Sequence, residues 1–126
     1  MSVEAAALAE AGDRRVMPRT TLAERPVAWV RGMREVRLLD LSRTGAQIEH
    51  LDLLRLRTPC HLELPPLFGA LILPAHVVWC AVIGRKRTLG GESFLRSRSG
   101  LQFTALTVAQ HAALADLLHL QSAPIG

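Results

Sequence analysis

Short runs of alternating apolar and polar residues are the feature that most limits how this chain can fold. Ala46 and Ile48 alternate with polar neighbours, and so do Cys60, Leu62 and Leu64. A period of two places successive side chains on opposite faces of an extended strand. Turn residues separate the runs, a pattern typical of small antiparallel β-barrels and sandwiches.

Further extended apolar runs complete this pattern. They are the segments 27–30, 34–41, 71–73 and 75–82. Arg31-Gly32-Met33 predicts a hairpin between the first two segments. Pro74 predicts a break between the last two, because proline cannot donate to a β-ladder.

The uncharged segment from Leu67 to Gly84, followed by Arg85-Lys86-Arg87, superficially resembles a membrane helix with a basic stop. Pro74 and His76 would then lie near the centre of the bilayer, where both are unfavourable. We therefore predict two consecutive core strands and no membrane span.

The last third of the chain predicts a hairpin and a helix. Residues 84–100 are rich in Gly and Arg and predict a long mobile hairpin. Thr107 and Gln110 have the spacing of a helix capping box. An apolar stripe with helical spacing follows: Leu114, Leu117 and Leu118. The fold class is therefore mostly β, a small antiparallel β-barrel covered by a C-terminal α-helix.

Size and composition indicate one domain. The chain has 126 residues, and 49% of them are hydrophobic, enough for one core. We predict an N-terminal extension over residues 1–12, a domain over residues 13–121 and a C-terminal tail over residues 122–126.

The charge balance favours an anionic ligand. Fifteen Lys and Arg residues exceed eleven Asp and Glu, and all of the fifteen except Lys86 are arginine. Arginine forms bidentate pairs with phosphate and guanine edges, and its plane stacks on bases. High-GC codon usage would produce the same bias, so composition alone leaves the ligand open.

Two segments carry a more specific signal. Residues 14–19 read RRVMPR, and residues 40–45 read DLSRTG. Together they resemble the PilZ domain family, in which R-x-x-x-R and D-x-S-x-x-G elements form a cyclic di-GMP site. The matching residues are Arg15, Arg19, Asp40, Ser42 and Gly45. Val77-Val78-Trp79, Gly100-Leu101-Gln102-Phe103 and a terminal helix follow in the family's order.

The resemblance implies a phosphate-binding role for Arg14, Arg15 and Arg19. Cyclic di-GMP has two phosphodiesters, and charge-assisted arginine forks suit them. Pro18 favours an extended linker over a helix here. We predict that this linker becomes ordered over the ligand.

Asp40, Ser42 and Gly45 have implied roles beside the guanines. A carboxylate can accept two N–H donors from a guanine edge, and the Ser42 hydroxyl can bond the ligand or its own turn. Gly45 permits a positive φ and close backbone approach. Leu39 and Leu41 are expected to point into the core. A plain β-turn remains the alternative for this segment taken alone.

Other basic and aromatic residues are less specific. Trp79 occupies a position that resembles the family's guanine-stacking aromatic, although core packing is the alternative. Arg43 is a phosphate contact or a solvated turn residue. A second basic patch in the long hairpin is expected to be a solvated loop. Its residues are Arg85, Lys86, Arg87, Arg96 and Arg98.

No enzymatic, metal or cofactor role is expected. Cys60 and His61 would face opposite ways on a strand, and His76 and Cys80 would lie too far apart to share a metal. Phosphate-loop, nucleophile-elbow and metalloprotease motifs are absent from the sequence. Without a secretory signal, free thiols and a cytoplasmic location are the simplest interpretation.

The expected partners are cyclic di-GMP and an unidentified effector protein. A PilZ-like interaction module that has lost the ligand is one alternative. A nonspecific nucleic-acid binder is a less favoured one, because the intact motifs favour a specific ligand; it would bind any oligonucleotide with a steep dependence on salt.

Overall fold

The computed structural model describes residues 20–22, 25–33 and 35–122, which form seven strands and one α-helix. The strands are β1 Thr20–Thr21, β2 Val27–Val30, β3 Glu35–Leu41, β4 Gly45–Leu51, β5 Pro59–Glu63, β6 Ile72–Arg87 and β7 Ser93–Phe103. A 3-10 turn spans Pro66–Phe68, and the helix α1 spans Val108–Ser122.

Six strands form a closed antiparallel ring. Its order is β3, β2, β5, β6, β7, β4 and back to β3, while β1 adds to the edge of β3 beyond β2. The mostly β fold with a C-terminal helix is therefore confirmed. The hairpin predicted at Arg31-Gly32-Met33 is confirmed too, and Gly32 supplies a positive φ of 85° there.

The inner face of the ring holds the core, as the alternating pattern predicted. Ala46, Ile48 and Leu62 are completely buried, and Leu64 beyond the end of β5 is too. The capping box of α1 is formed: Thr107 Oγ1 accepts from the Gln110 N–H at 3.0 Å, and Gln110 Oε1 accepts from the Thr107 N–H at 2.9 Å. The helix then packs buried leucines into the core, namely Leu114 and Leu117.

The expected break within β6 is wrong. Pro74 does not divide two strands; it pairs with His61 inside the single strand β6, and its carbonyl accepts from the Thr104 N–H at 2.9 Å. A carbonyl is all that proline can offer to a ladder, so this position tolerates it. The hairpin predicted over residues 84–100 is present, and most of it is paired strand. The pairing continues to Arg87 and Ser93, so the loop covers only residues 88–92.

Candidate functional site

Ser42 closes the turn between β3 and β4. Its Oγ accepts from the N–H groups of Thr44 at 3.2 Å and Gly45 at 3.1 Å, and it donates to the Gly45 carbonyl at 3.2 Å. The backbone N–H of Ser42 donates to the same carbonyl at 2.8 Å. Ser42 is only 1% exposed. Of the two roles expected for its hydroxyl, a bond to the ligand or to its own turn, it therefore fills the second and stabilises the turn.

Gly45 is required by strand packing. Its φ is not positive, so that expectation is wrong. A Cβ added to Gly45 would overlap the carbonyl of Leu101 on β7. The glycine therefore lets the start of β4 approach β7 closely.

Asp40 lies between β1 and β4 on the outer face of β3. It pairs with Thr21 on one side and with Gln47 on the other, and it is 9% exposed. Asp40 is more buried than we would expect of a residue that contacts a ligand at the surface, because β1 lies beside it. Leu41 points into the core as expected, whereas Leu39 occupies a β-bulge and lies outside the core cluster.

A row of cross-strand pairs connects Asp40 with Trp79. Asp40 pairs with Gln47, Gln47 with Gly100, and Gly100 with Trp79. Directly opposed residues of antiparallel strands project from the same face. Three strand spacings of about 4.8 Å make the row roughly 14 Å long, measured along the curved sheet. We call these four residues the site row.

Trp79 is an outer-face residue and does not belong to the core. Its side chain is 37% exposed, and a Cβ on Gly100 would overlap the indole at Nε1, Cδ1 and Cε2. The ring therefore lies directly over the Gly100 backbone. The core alternative for Trp79 is wrong, and its exposed indole gives the site row a flat aromatic surface.

Arginines surround Glu49 beside the site row. Arg96 donates through Nε at 3.3 Å and through Nη2 at 3.0 Å to Glu49 Oε2. Arg25 and Arg98 lie 3.5 Å and 3.9 Å from Glu49 Oε1. Three cations around one carboxylate leave a net positive charge on this outer surface. Glu49 is the next residue of β4 after Gln47 that faces outward.

The expectation that the second basic patch is a solvated loop is wrong. Arg96 and Arg98 belong to β7, and the 85–87 segment belongs to β6. In the sequence Arg96 and Arg98 alternate with Ser97 and Ser99, which are buried. This period of two indicates a strand, and the sequence analysis missed it. Arg96, Arg98, Gly100 and Gln102 occupy the outer face, and Ser97, Ser99, Leu101 and Phe103 the buried inner face. Gln47 and Gly100, the middle of the site row, were also missed as site residues.

Arg14, Arg15 and Arg19 lie outside the described residues. The predicted ordering of their linker stays a prediction. Thr20, which follows Arg19 in the sequence, is described and pairs with Leu41 beside Asp40. The chain that leads out of the arginine segment therefore enters the fold next to the D-x-S-x-x-G turn.

Within the described segments, no three His, Cys, Asp or Glu residues are grouped closely enough to hold a metal ion. Burial raises the pKa of the Cys60 thiol, which disfavours the reactive thiolate. No helix in the described ranges has the length and apolar character needed to cross a membrane.

Comparisons with known proteins agree on one family. The family model for the PilZ domain matches residues 15–120. The PilZ domain with c-di-GMP of YcgR from Escherichia coli superposes with a TM-score of 0.63 at 14% identity, covering 86% of this chain and 91% of that one.

MrkH, described as a c-di-GMP-dependent transcription regulatory factor, gives a TM-score of 0.54 at 17% identity over 81% of this chain and 48% of its own. The K. pneumonia MrkH–c-di-GMP complex gives 0.54 at 23% identity, over 86% and 53%. The chain thus spans about half the length of MrkH. A search of curated proteins found no match.

Proposed function

Because the chain belongs to the PilZ domain family, we propose that it is a cyclic di-GMP receptor that changes conformation on binding and regulates a partner protein. The observation that carries the proposal is the site row, which aligns Asp40 and Trp79 on one outer face. The c-di-GMP-bound PilZ structures of YcgR and MrkH support it.

The site row suits a guanine base in two ways. Asp40 would accept N–H donors from the guanine edge, and Trp79 would stack on a ring, a contact worth about 1–3 kcal/mol per base. Gly100 has no side chain, so nothing rises between the indole and Gln47. The indole can therefore lie over Gly100, next to Gln47, where its exposed part would stack on a guanine.

The phosphates would be bound from the N-terminal side. Arg14, Arg15 and Arg19 precede Thr20, whose pairing with Leu41 supports a location of that chain near the Asp40 carboxylate. Arginine forks would pair with the two phosphodiesters. Binding would then dock the linker against the domain and change the surface offered to the effector.

Ser42 and Gly45 would act as positioning residues. Ser42 fixes the turn by four hydrogen bonds, and Gly45 keeps β4 close to β7. Both hold Asp40 and Gln47 in register with β7. In this proposal the domain works as a non-catalytic, cytoplasmic receptor without a cofactor.

Isothermal titration calorimetry tests the ligand. We expect cyclic di-GMP to bind far more tightly than GMP or cyclic AMP, because only the dinucleotide engages the arginines and the site row together. Arg19→Ala should weaken binding by about 1–3 kcal/mol, whereas Arg31→Ala on the distant β2–β3 hairpin should not. Equal affinity for the mononucleotides would reject the proposal and favour the ligand-free interaction module.

Hydrogen exchange tests the conformational part. Amides of residues 10–20 should gain protection on addition of cyclic di-GMP, while amides of α1 change little. Equal protection of residues 10–20 in the free protein would exclude an ordering switch.

A further inference from the structure

A groove of about 700 Å³ lies beside the β6–β7 hairpin, close to its 88–92 loop. We call it the hairpin groove. Strands β3, β4, β6 and β7 contribute to its lining, which contains five cations and two carboxylates. The cations are Arg37, Arg85, Lys86, Arg87 and Arg96. Neither Asp40 nor Trp79 lines it, so it is distinct from the site row.

The charges in the groove do not cancel. Of its two carboxylates, Glu49 already contacts Arg96 and also Arg25 and Arg98, which are not lining residues. Among the residues that the structure describes, no carboxylate forms an ion pair with the 85–87 segment. Three adjacent exposed cations without a counter-charge repel each other, and an anionic partner would relieve that repulsion.

The lining distinguishes between kinds of anion. No Phe or Trp lines the groove within the described part of the chain, so bases of a single-stranded nucleic acid would find no stacking surface. Glu35 and Glu49 would repel any anionic group beside them, but they can accept hydrogen bonds from peptide N–H groups, which a phosphodiester backbone lacks. These features favour a protein segment that carries carboxylates.

The backbone of β6 favours an extended segment. β5 pairs with β6 only as far as Pro59 opposite His76, and from Ala81 onward the described strands offer β6 no partner except β7. A free strand edge presents N–H and C=O groups to an added strand. Exposed apolar residues, Val82 and Ile83, precede the basic segment on this edge.

We propose that the hairpin groove and the adjoining edge of β6 bind an extended acidic segment of a partner protein. A second copy of this chain is disfavoured, because its own Arg85-Lys86-Arg87 would meet the same charges. The proposal rests on the proposed function in that it gives the effector a docking surface. Glu49 of the groove and Gln47 of the site row lie on the same strand, which would connect the two sites.

The probe is a fluorescein-labelled decapeptide of alternating valine and glutamate, titrated into the full chain by fluorescence anisotropy. The test variant is Arg85→Glu with Lys86→Glu. The matched control is Arg31→Glu with Arg55→Glu, two exposed arginines outside the groove, with the same change in net charge. Thermal melts verify that both variants fold.

The test variant should weaken peptide binding by about tenfold or more, and the control by about twofold or less. Hydrogen exchange should show peptide-dependent protection of residues 81–87. Equal weakening in both variants, equal binding of a valine–lysine decapeptide, or no binding at millimolar peptide would overturn the proposal. Displacement of the peptide by a lower concentration of duplex DNA would assign the groove to nucleic acid, and a dimer in sedimentation would assign it to a second copy.

Calorimetry with cyclic di-GMP separates this proposal from the proposed function. If the test variant keeps the ligand affinity and loses the peptide, both stand. If the wild-type chain binds the peptide but not the ligand, only the proposed function fails.

Discussion

The two faces of the same four strands differ sharply although their residues are adjacent in sequence. The inner row, formed by Leu41, Ala46, Leu101 and Val77, is at most 2% exposed. The site row lies one residue away on most of these strands and carries a carboxylate, an amide, a bare backbone and an indole. Packing determines the inner residues, whereas packing alone does not require the carboxylate or the indole.

This comparison implies that substitutions should separate by face. A change in the inner row should lower the free energy of unfolding, and a change in the site row should lower ligand affinity. Mixed effects would mean that the two faces are not independent.

The largest effect is expected for Leu101→Ala in the inner row. Truncating this fully packed side chain leaves a cavity, so the free energy of unfolding should fall by about 2–5 kcal/mol in urea denaturation. Gln102→Ala, its exposed neighbour on the outer face, should stay within about 0.5 kcal/mol of the wild type. Similar losses in both variants would break the distinction between faces.

Asp40→Ala should have the next largest effect, on ligand affinity. Losing a guanine-edge contact should cost about 1–3 kcal/mol of binding free energy in calorimetry. Because Asp40 is largely buried, some stability will be lost too, but less than for Leu101→Ala. A variant with unchanged affinity would move the ligand away from the site row.

Trp79→Ala should weaken binding by about tenfold, near the lower end of the range for one stacked base. Trp29→Ala is a matched control, because Trp29 on β2 is 39% exposed and Trp79 is 37% exposed. Quenching of indole fluorescence by the ligand should disappear with Trp79 and persist with Trp29 removed. If the quenching is lost when Trp29 is removed and persists when Trp79 is removed, the bases bind at β2, on the other side of the ring of strands.

The smallest effect is expected for Gly100→Ala. The added Cβ would displace the Trp79 indole, so affinity should fall by about threefold to tenfold, no more than for removal of the indole. In a Trp79→Ala background the same substitution should change affinity very little. Additive losses in this double-mutant cycle would show that Gly100 acts independently of the indole.

The alternating pattern predicted most of the fold because the period of two determines which face is buried. Ile48, Leu62 and the capping box of α1 followed from it or from local chemistry. The break at Pro74 was predicted wrongly, because the sequence does not show whether a neighbouring strand needs the N–H group that proline lacks. Pro74 takes part in the structure through its carbonyl, which accepts a hydrogen bond from the N–H of Thr104, thirty residues later in the sequence.

The candidate site was predicted only in part. The motif identified Asp40 and Ser42, and the family resemblance suggested Trp79. Gln47 and Gly100 were missed because their roles depend on register across four strands, and two bulges shift that register between Leu38 and Asp40 and between Val77 and Trp79. Bulges leave no clear trace in an alternating sequence.

The closed ring also has a kinetic consequence. Its strands join residues as distant in sequence as Gly45 and Gln102, so the chain must lose much loop entropy before that pairing stabilises it. Refolding should therefore take milliseconds to seconds, as for other β-rich topologies of this size. Until β4 meets β7, both strands present open edges, and aggregation during synthesis would compete with folding at that step.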